Sequence, residues 1–288
     1  MLPPFNYHQP GSLPEALALL AALPQPKKII AGGTDIIPAL CRRDLFPANV
    51  ISLGKLSEMK KINVENGVVR IGAMLTFSHL ASSGILSGGY RLVSEAASQV
   101  GGPQIRNQGT IGGNIVNASP AGDMLPPLVS LDAGVRLISE RGERIVPLAD
   151  FLTGAGQTII TADEVLAEVT FPALPENAVS SFIKLGRRNS LAIARISMAA
   201  LILYDSKKRI GEARLALGSV APKPVRMPSA EAMLKGQTPC PDLLEEVITE
   251  VGNTVGALLG DRPSAPYKRA AVRGVARQAL CRADLRFR

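Results

Sequence analysis

Two glycine-rich stretches hold the residues whose types and spacing suit chemistry. The longer runs Gly109-Thr110-Ile111-Gly112-Gly113-Asn114-Ile115-Val116-Asn117-Ala118-Ser119-Pro120-Ala121-Gly122-Asp123. Glycines 109, 112 and 113 are followed by Asn114, Asn117, Ser119 and Asp123. So many small residues argue against a packed core element and for a loop. Glycine lets a backbone approach a ligand closely and permits positive φ. Consecutive N–H groups in such a loop form a concave nest for an anion, and the Asn, Ser and Asp side chains add donors and acceptors. The stretch predicts a loop wrapped around a phosphate-bearing cofactor. The shorter stretch, Ala31-Gly32-Gly33-Thr34-Asp35, ends the β-branched run Lys28–Ala31. Strand, glycine turn and helix start in that order aim free N–H groups at a phosphate, although the same turn also serves as plain geometry. Nests from Gly32-Gly33-Thr34 and Gly112-Gly113-Asn114 suit one long cofactor with two phosphates.

Other chemistries find no support. The two histidines, His8 in a proline-flanked lead-in and His79 near a predicted helix start, read as surface or capping residues. No GxSxG elbow, HExxH pair, GxxxxGK[ST] loop or GxGxxG fingerprint is present, so hydrolase, zinc-protease, P-loop and Rossmann readings fall away. Cys41, Cys240 and Cys281 are dispersed, without the ligand spacing of a zinc knuckle or an iron–sulfur cluster. A disulfide framework is not expected either, which fits a reducing compartment.

The elements that must position these residues are legible from their punctuation. Ser12 and Glu15 stand at capping-box spacing with Pro14 in the first turn, which starts a helix. Its buried stripe is Leu13, Leu17, Leu20 and Leu23, and Pro24 and Pro26 stop it. Thr34 is read as the N-cap of a helix over Asp35 to Leu40, and Asn49 to Leu53 as a strand. A change to Lys and polar residues around Glu58 to Ile62 marks a subdomain boundary. Asn66-Gly67 between Ile62–Val64 and Val68–Ile71 predicts a tight hairpin. Helices are expected over Ser78 to Ala81, Tyr90 to Val100 and Leu125 to Leu131, and a strand pair over Val135 to Ser139 and Ile145 to Val146. Arg106, just before the glycines, has two readings: a phosphate contact or a helix C-cap. Val165 to Phe171 ends at Pro172, as an edge strand would. After a linker at Leu174 to Asn177 come strands at Ser181, Ile193–Tyr204 and Arg214–Leu217. Helices follow over Glu231–Lys235, Pro241–Leu258 and Pro266–Leu280.

At 288 residues, 46% apolar, the chain has material for two compact units. Net charge is +8, but only 4% of residues are aromatic and Trp is absent, which is poor equipment for stacking single-stranded nucleic acid. The basic residues are spread, with a mild excess from Arg262 to Arg288. No signal-peptide pattern and no span of about 20 apolar residues is present, so a soluble cytoplasmic protein without a membrane span is expected.

The motifs resemble one family. Ile30-Ala31-Gly32-Gly33-Thr34-Asp35, Arg106-Asn107-Gln108-Gly109-Thr110-Ile111-Gly112-Gly113-Asn114 and Ala118-Ser119-Pro120-Ala121-Gly122-Asp123 look like the FAD-binding medium subunits of the molybdenum hydroxylases, the group of xanthine dehydrogenase and carbon monoxide dehydrogenase. Phe182-Ile183-Lys184-Leu185-Gly186-Arg187-Arg188 is similar to the family's lysine-containing flavin contact, and Leu217 to Arg226 resembles the start of its C-terminal domain. The resemblance covers almost the whole chain. It implies an α+β fold: a vanillyl-alcohol-oxidase/PCMH-type FAD-binding domain over 1–175, in subdomains of about 1–57 and 58–175, plus a C-terminal domain of antiparallel sheet and helices over 176–288.

The resemblance also implies a role. FAD would be the cofactor. A small subunit with [2Fe–2S] clusters and a large subunit with the molybdenum cofactor would be partners, and NAD or another acceptor would take the electrons. Carried over by position, Ile29, Ile30, Ala31, Gly32, Gly33, Thr34, Asp35 and Ile36 would line the pyrophosphate and adjoining cofactor. Thr110, Ile111, Gly112, Gly113 and Asn114 would hold phosphate and ribityl oxygens, with Ser119 and Asp123 as further flavin contacts. Val165 or Leu166 would pack on the flavin, and Lys184 would lie near its ring or sugar; a surface salt bridge is the plain alternative for Lys184. No metal cluster and no acid–base catalyst is expected on this chain. A stand-alone flavin-dependent oxidoreductase acting on a small molecule is the alternative function, and a basic nucleic-acid or assembly module the non-enzymatic one.

Overall fold

The computed structural model describes residues 2–188 and 191–287; Met1, Asn189, Ser190 and Arg288 lie outside the described residues. The first unit contains β1 (Asn6–His8), α1 (Leu13–Ala22), β2 (Lys27–Ile30), α2 (Ile36–Cys41) and β3 (Asn49–Ser52). Its sheet, in order β1-β3-β2, is parallel throughout. The Glu15 N–H donates to Ser12 Oγ at 3.4 Å, and the Glu15 carboxylate accepts the Gly11 N–H at 2.7 Å. The capping box thus closes one residue early. Ala16, Leu17 and Leu20 of α1 are buried.

The second unit begins with β4 (Ile62–Glu65) and β5 (Val68–Gly72), followed by helices α3 (Phe77–Ser82), α4 (Arg91–Ser98), α5 (Pro103–Gln108), α6 (Ile111–Asn117) and α7 (Leu125–Ser130). Then come β6 (Gly134–Ser139), β7 (Gly142–Pro147), α8 (Leu148–Phe151), β8 (Leu152–Gly154), β9 (Gln157–Thr158) and β10 (Val165–Pro172). The hairpin turn has φ of 51° at Asn66 and 73° at Gly67, the left-handed pair that a type I′ turn requires. The five-stranded sheet runs β4-β5-β10-β6-β7. β10 is therefore central, contrary to the edge strand that Pro172 suggested. Pro172 is its last residue, opposite Val68, where no ladder N–H is missed, while Val165–Ala167 and Val169–Phe171 are buried.

A second correction concerns the long glycine stretch. Residues 111–117 form a helix rather than a loop. Thr110 caps it by accepting the Gly113 N–H at 3.1 Å. Gly112 is pressed on Ala73: an added Cβ would lie 2.7 Å from the Ala73 Cβ and 2.8 Å from its carbonyl oxygen. That glycine serves close packing, and Ile111 and Ile115, one turn apart, sit in the core.

The third unit is β11 (Val179–Leu185), β12 (Ile196–Tyr204), β13 (Ile210–Gly218), β14 (Val225–Arg226), α9 (Pro228–Leu234), α10 (Pro241–Leu259) and α11 (Ala265–Ala283). Its antiparallel sheet has the order β11-β12-β13-β14. β12 is apolar along its length because both faces are covered. Met198, Ala200 and Ile202 pack under α9–α11, and Ala199 and Leu201 join the core of the second unit, the period-two split of a strand. Ser180 Oγ accepts the Leu92 N–H at 3.1 Å, and Glu95 accepts the Phe182 N–H at 2.8 Å, so α4 is bonded to the outer edge of β11. No helix among the described residues is long and apolar enough to cross a membrane.

Candidate cofactor site

The β2–α2 turn and the 109–123 segment meet at one cleft of about 670 Å³, inside the range of ~300–1,000 Å³ typical of small-molecule sites. Gly32 is the point of closest approach. An added Cβ there would fall 1.8 Å from the Gln108 carbonyl oxygen and 2.5 Å from its carbon. Asn117 Nδ2 donates to Asp35 Oδ1 at 3.2 Å and ties the same two segments together. Gly33 turns the chain with φ of 75°, a value glycine adopts freely. The helix that follows starts one residue later than expected. Asp35, not Thr34, is its N-cap, without a side-chain cap bond, and the Thr34 hydroxyl donates to Asp35 Oδ2 at 3.4 Å.

Of the residues singled out in the sequence, Ile29, Ala31, Gly32, Gly33, Thr34, Asp35, Ile36, Thr110, Gly112, Gly113, Asn114, Ser119, Asp123, Val165, Leu166 and Lys184 line this cleft. Ile30 and Ile111 do not. Strand alternation turns Ile30 away from Ile29's face, and its side chain lies under Gly33, 3.3 Å from where a Cβ would be. Ile111 is fully buried in the core. Arg106 is no phosphate contact: its guanidinium donates to the carbonyls of Val100 and Gly101 at 3.1 and 2.9 Å, beyond the end of α4. Asn117, singled out with the motif's other polar residues, also lines the cleft, whereas Phe77, Met74, Leu53 and, after β11, Leu191, Ala192 and Ile193 were missed. The missed ones, mostly apolar, had no signal, since only the fold distinguishes a cleft wall from a core face.

The two nests are not equivalent. At the start of α6 the Ile111, Gly112, Gly113 and Asn114 N–H groups donate to Leu75 O, Ala73 O, Thr110 Oγ1 and Thr110 O. They are used up inside the chain. The N–H groups from Gly32 to Ile36 have no acceptor among the described residues. Of the two nests, only the β2–α2 turn keeps its N–H groups free, and α6 offers side chains instead. Two buried oxygens on that side, Asn114 Oδ1 and Asp123 Oδ1, lack any hydrogen-bond partner. A buried acceptor left unpaired is costly. The cleft thus presents free donors at one end and free acceptors at the other, with apolar walls between them.

A family model described as "FAD binding domain in molybdopterin dehydrogenase" matches residues 3–174, and one described as "CO dehydrogenase flavoprotein C-terminal domain" matches 181–283. The chain belongs to the FAD-binding subunits of the molybdenum hydroxylases. This flavoprotein is 37% identical over 275 residues to the nicotinate dehydrogenase FAD-subunit of Eubacterium barkeri, covering 94% of this chain and 93% of that one. It is 36% identical over 228 residues to the xanthine dehydrogenase FAD-binding subunit of Escherichia coli O157:H7, covering 78% and 77%. Among solved structures, carbon monoxide dehydrogenase from Hydrogenophaga pseudoflava superposes with a TM-score of 0.88 at 32% identity, covering 99% of both chains.

The cleft fits FAD on its own chemistry. A diphosphate needs N–H donors, which the glycine turn has free, and a flavin with a ribityl chain brings N–H and O–H donors for the two orphaned oxygens. Deeper in, Lys184 Nζ contacts Asp123 Oδ2 at 2.5 Å and donates to the Gln99 carbonyl at 2.9 Å. Both side chains are under 10% exposed, so this is a buried pair and not the surface salt bridge that was the alternative for Lys184. Burial pushes the Asp123 carboxyl up to about 6, and the Lys184 ammonium pulls it only partly back.

Proposed function

We propose that this flavoprotein is the electron-relay subunit of a molybdenum-dependent hydroxylase, and that the cleft between the glycine turn and α6 is its FAD site. FAD, when bound, accepts and gives up electrons. We assign the delivery of those electrons to [2Fe–2S] clusters on a small partner subunit, their origin to a large subunit carrying the molybdenum cofactor, and their removal to NAD or another external acceptor. The observation that carries this reading is the division of the cleft into free N–H groups at Gly32–Ile36 and unpaired acceptors at Asn114 and Asp123. The turn binds the diphosphate; Asn114 and Asp123 orient the flavin end; Val165 and Leu166, at the buried start of the central strand, pack against it. Asp35, an acceptor only, suits hydroxyl donors rather than phosphate. The names of the relatives as FAD subunits support a place in a larger complex.

The titratable side chains lining the cleft among the described residues are Lys28, Asp35, Asp123 and Lys184. Asp35 is held by Asn117, and Asp123 by Lys184. The three larger sheets, one to each unit, support a domain division into 1–175, with subdomains 1–57 and 58–175, and 176–288. The three thiols without a disulfide partner support a cytoplasmic setting. Purification from the native host tests the reading. It expects a yellow complex whose other chains carry iron, sulfide and molybdenum. A colourless product, or substrate turnover by the isolated chain, overturns it.

A further inference from the structure

A left-handed backbone is strained in a residue other than glycine and persists only where its surroundings over-determine it. Asn66 and Lys208 adopt it in hairpin turns, with φ of 51° and 59°. Ala118, Leu191 and Ser219 adopt it around the cleft, with φ of 46°, 53° and 64°. Ala118 stands between Asn117 and Ser119, which line the cleft, and Leu191 lines it directly. Ser219 is different. It lies just past β13 in the third unit, outside the stretch 3–174 that matches the FAD-binding family model, and is no part of the lining. Its N–H donates to Pro120 O at 2.9 Å. Its hydroxyl donates to Ala194 O at 3.0 Å, with Pro120 O 3.4 Å away. Its carbonyl accepts Lys268 Nζ from α11.

Both partners adjoin the cleft lining. Pro120 lies between Ser119 and Ala121, on the rim that also carries Gly122 and Asp123. Ala194 follows Leu191, Ala192 and Ile193, which form another part of the wall. Burial does little to hold that second segment, because Leu191 and Ile193 are 56% and 81% exposed. The Arg188 guanidinium on Leu191 O, at 2.7 Å, and the Arg195 N–H on Leu185 O, at 2.8 Å, tie it to its own base. Ser219 ties it to the 118–123 rim. Each bond is ordinary, but together they fix two parts of one cleft wall before any ligand enters. A wall held in place binds more tightly, since a competent state that is only partly populated weakens apparent affinity in proportion. We propose that Ser219 is a positioning residue for the cofactor, whose hydroxyl clamps residues 191–194 to the 118–123 rim and so presets the cleft for FAD. The proposal rests on the FAD reading above. The strain at Ser219 is tolerated because bonds from its N–H, hydroxyl and carbonyl all converge there.

The test titrates FAD into the purified full chain stripped of flavin, follows the change in FAD fluorescence, and measures the melting of each apoprotein beside it. Ser219→Ala removes the hydroxyl and keeps the left-handed strain. Ser219→Gly removes the hydroxyl and relieves the strain. Both are expected to raise the half-saturating FAD concentration about three- to tenfold, the equivalent of one lost hydrogen bond. Their melting is expected to diverge, with Ser219→Gly above Ser219→Ala. Lys208→Gly relieves the same strain in the β12–β13 turn, away from the cleft, and is expected to leave the FAD titration parental. Affinity thus follows the hydroxyl, whereas melting follows φ. Parental half-saturation in both Ser219 variants overturns the clamp. So does affinity that only tracks melting, weak in Ser219→Ala and parental in Ser219→Gly, because Ser219 is then a structural residue alone. A parent chain that takes up no FAD overturns the FAD reading itself, and the proposal with it.

Discussion

Gly32→Ala is the sharpest perturbation of the cleft. Its added methyl would sit 1.8 Å from the Gln108 carbonyl oxygen, and both that oxygen and its carbon belong to the backbone. No rotamer change relieves such a clash. Ordinary contact needs about 3.4 Å, so the glycine turn and the end of α5 must separate by about 1.6 Å. That opening also stretches the 3.2 Å bond between Asn117 and Asp35. Overpacking typically costs about 1–3 kcal/mol, and a rigid neighbour places this case near the upper figure. At roughly 2 °C per kcal/mol for a chain this long, the apoprotein should melt about 6 °C lower. FAD uptake, followed by flavin absorbance after desalting, should be lost, because the free N–H groups move away from the acceptors at Asn114 and Asp123. Gly113→Ala is the matched control. Its methyl would meet only Thr110 Oγ1, at 3.1 Å, and its N–H is already bonded within the chain. It should melt within about 2 °C of the parent. A Gly32→Ala protein with parental melting and full flavin content would refute the contact between the two segments, and the cleft with it.

Three other outcomes follow from particular contacts. Asp123 holds its proton more tightly folded, at about 6, than unfolded, at 3.8. Stability of the apoprotein should therefore fall by about 3 kcal/mol as pH rises from about 4 to about 6; Asp123→Asn should flatten that window in urea titrations, and an unchanged slope would contradict the burial argument. Lys184→Met leaves the Asp123 carboxylate buried and alone, which should cost about 3–5 kcal/mol at pH 8 and much less in the Lys184→Met/Asp123→Asn double variant; additive losses would mean the two groups do not interact. Glu95 accepts the Phe182 N–H and pairs with both Arg91, at 2.7 Å, and Arg282, at 2.9 Å. Glu95→Ala should lower the denaturant midpoint by the equivalent of about 2–3 kcal/mol, and a change under half of that would show that α4 does not depend on this clamp.

Much of the fold was legible. The Ser12 cap, the Asn66-Gly67 hairpin and the helices after Glu231 each rest on interactions within a few residues, and the structure has them all. The misreadings share another origin. Pro172 looked like an edge because the ladder on either side of β10 comes from residues 68–72 and 134–138, which no local pattern announces. Residues 111–117 looked like a loop because two adjacent glycines disfavour a helix on propensity; Thr110 and the packing of Gly112 on Ala73 outweigh that.

By itself the sequence determined where the backbone is bare and where acceptors follow it: Gly32-Gly33 on one stretch, Asn114, Ser119 and Asp123 on the other. Local chemistry suffices for that, because a turn, a cap or a missing Cβ is a property of neighbouring residues. Only the tertiary structure decided which of those groups remain available. It consumed the N–H groups of Gly112–Asn114, left those of Gly32–Ile36 free, and buried Asp123 against Lys184, 61 positions away. Hydrogen-bond satisfaction and desolvation depend on what the rest of the chain brings within a few ångströms.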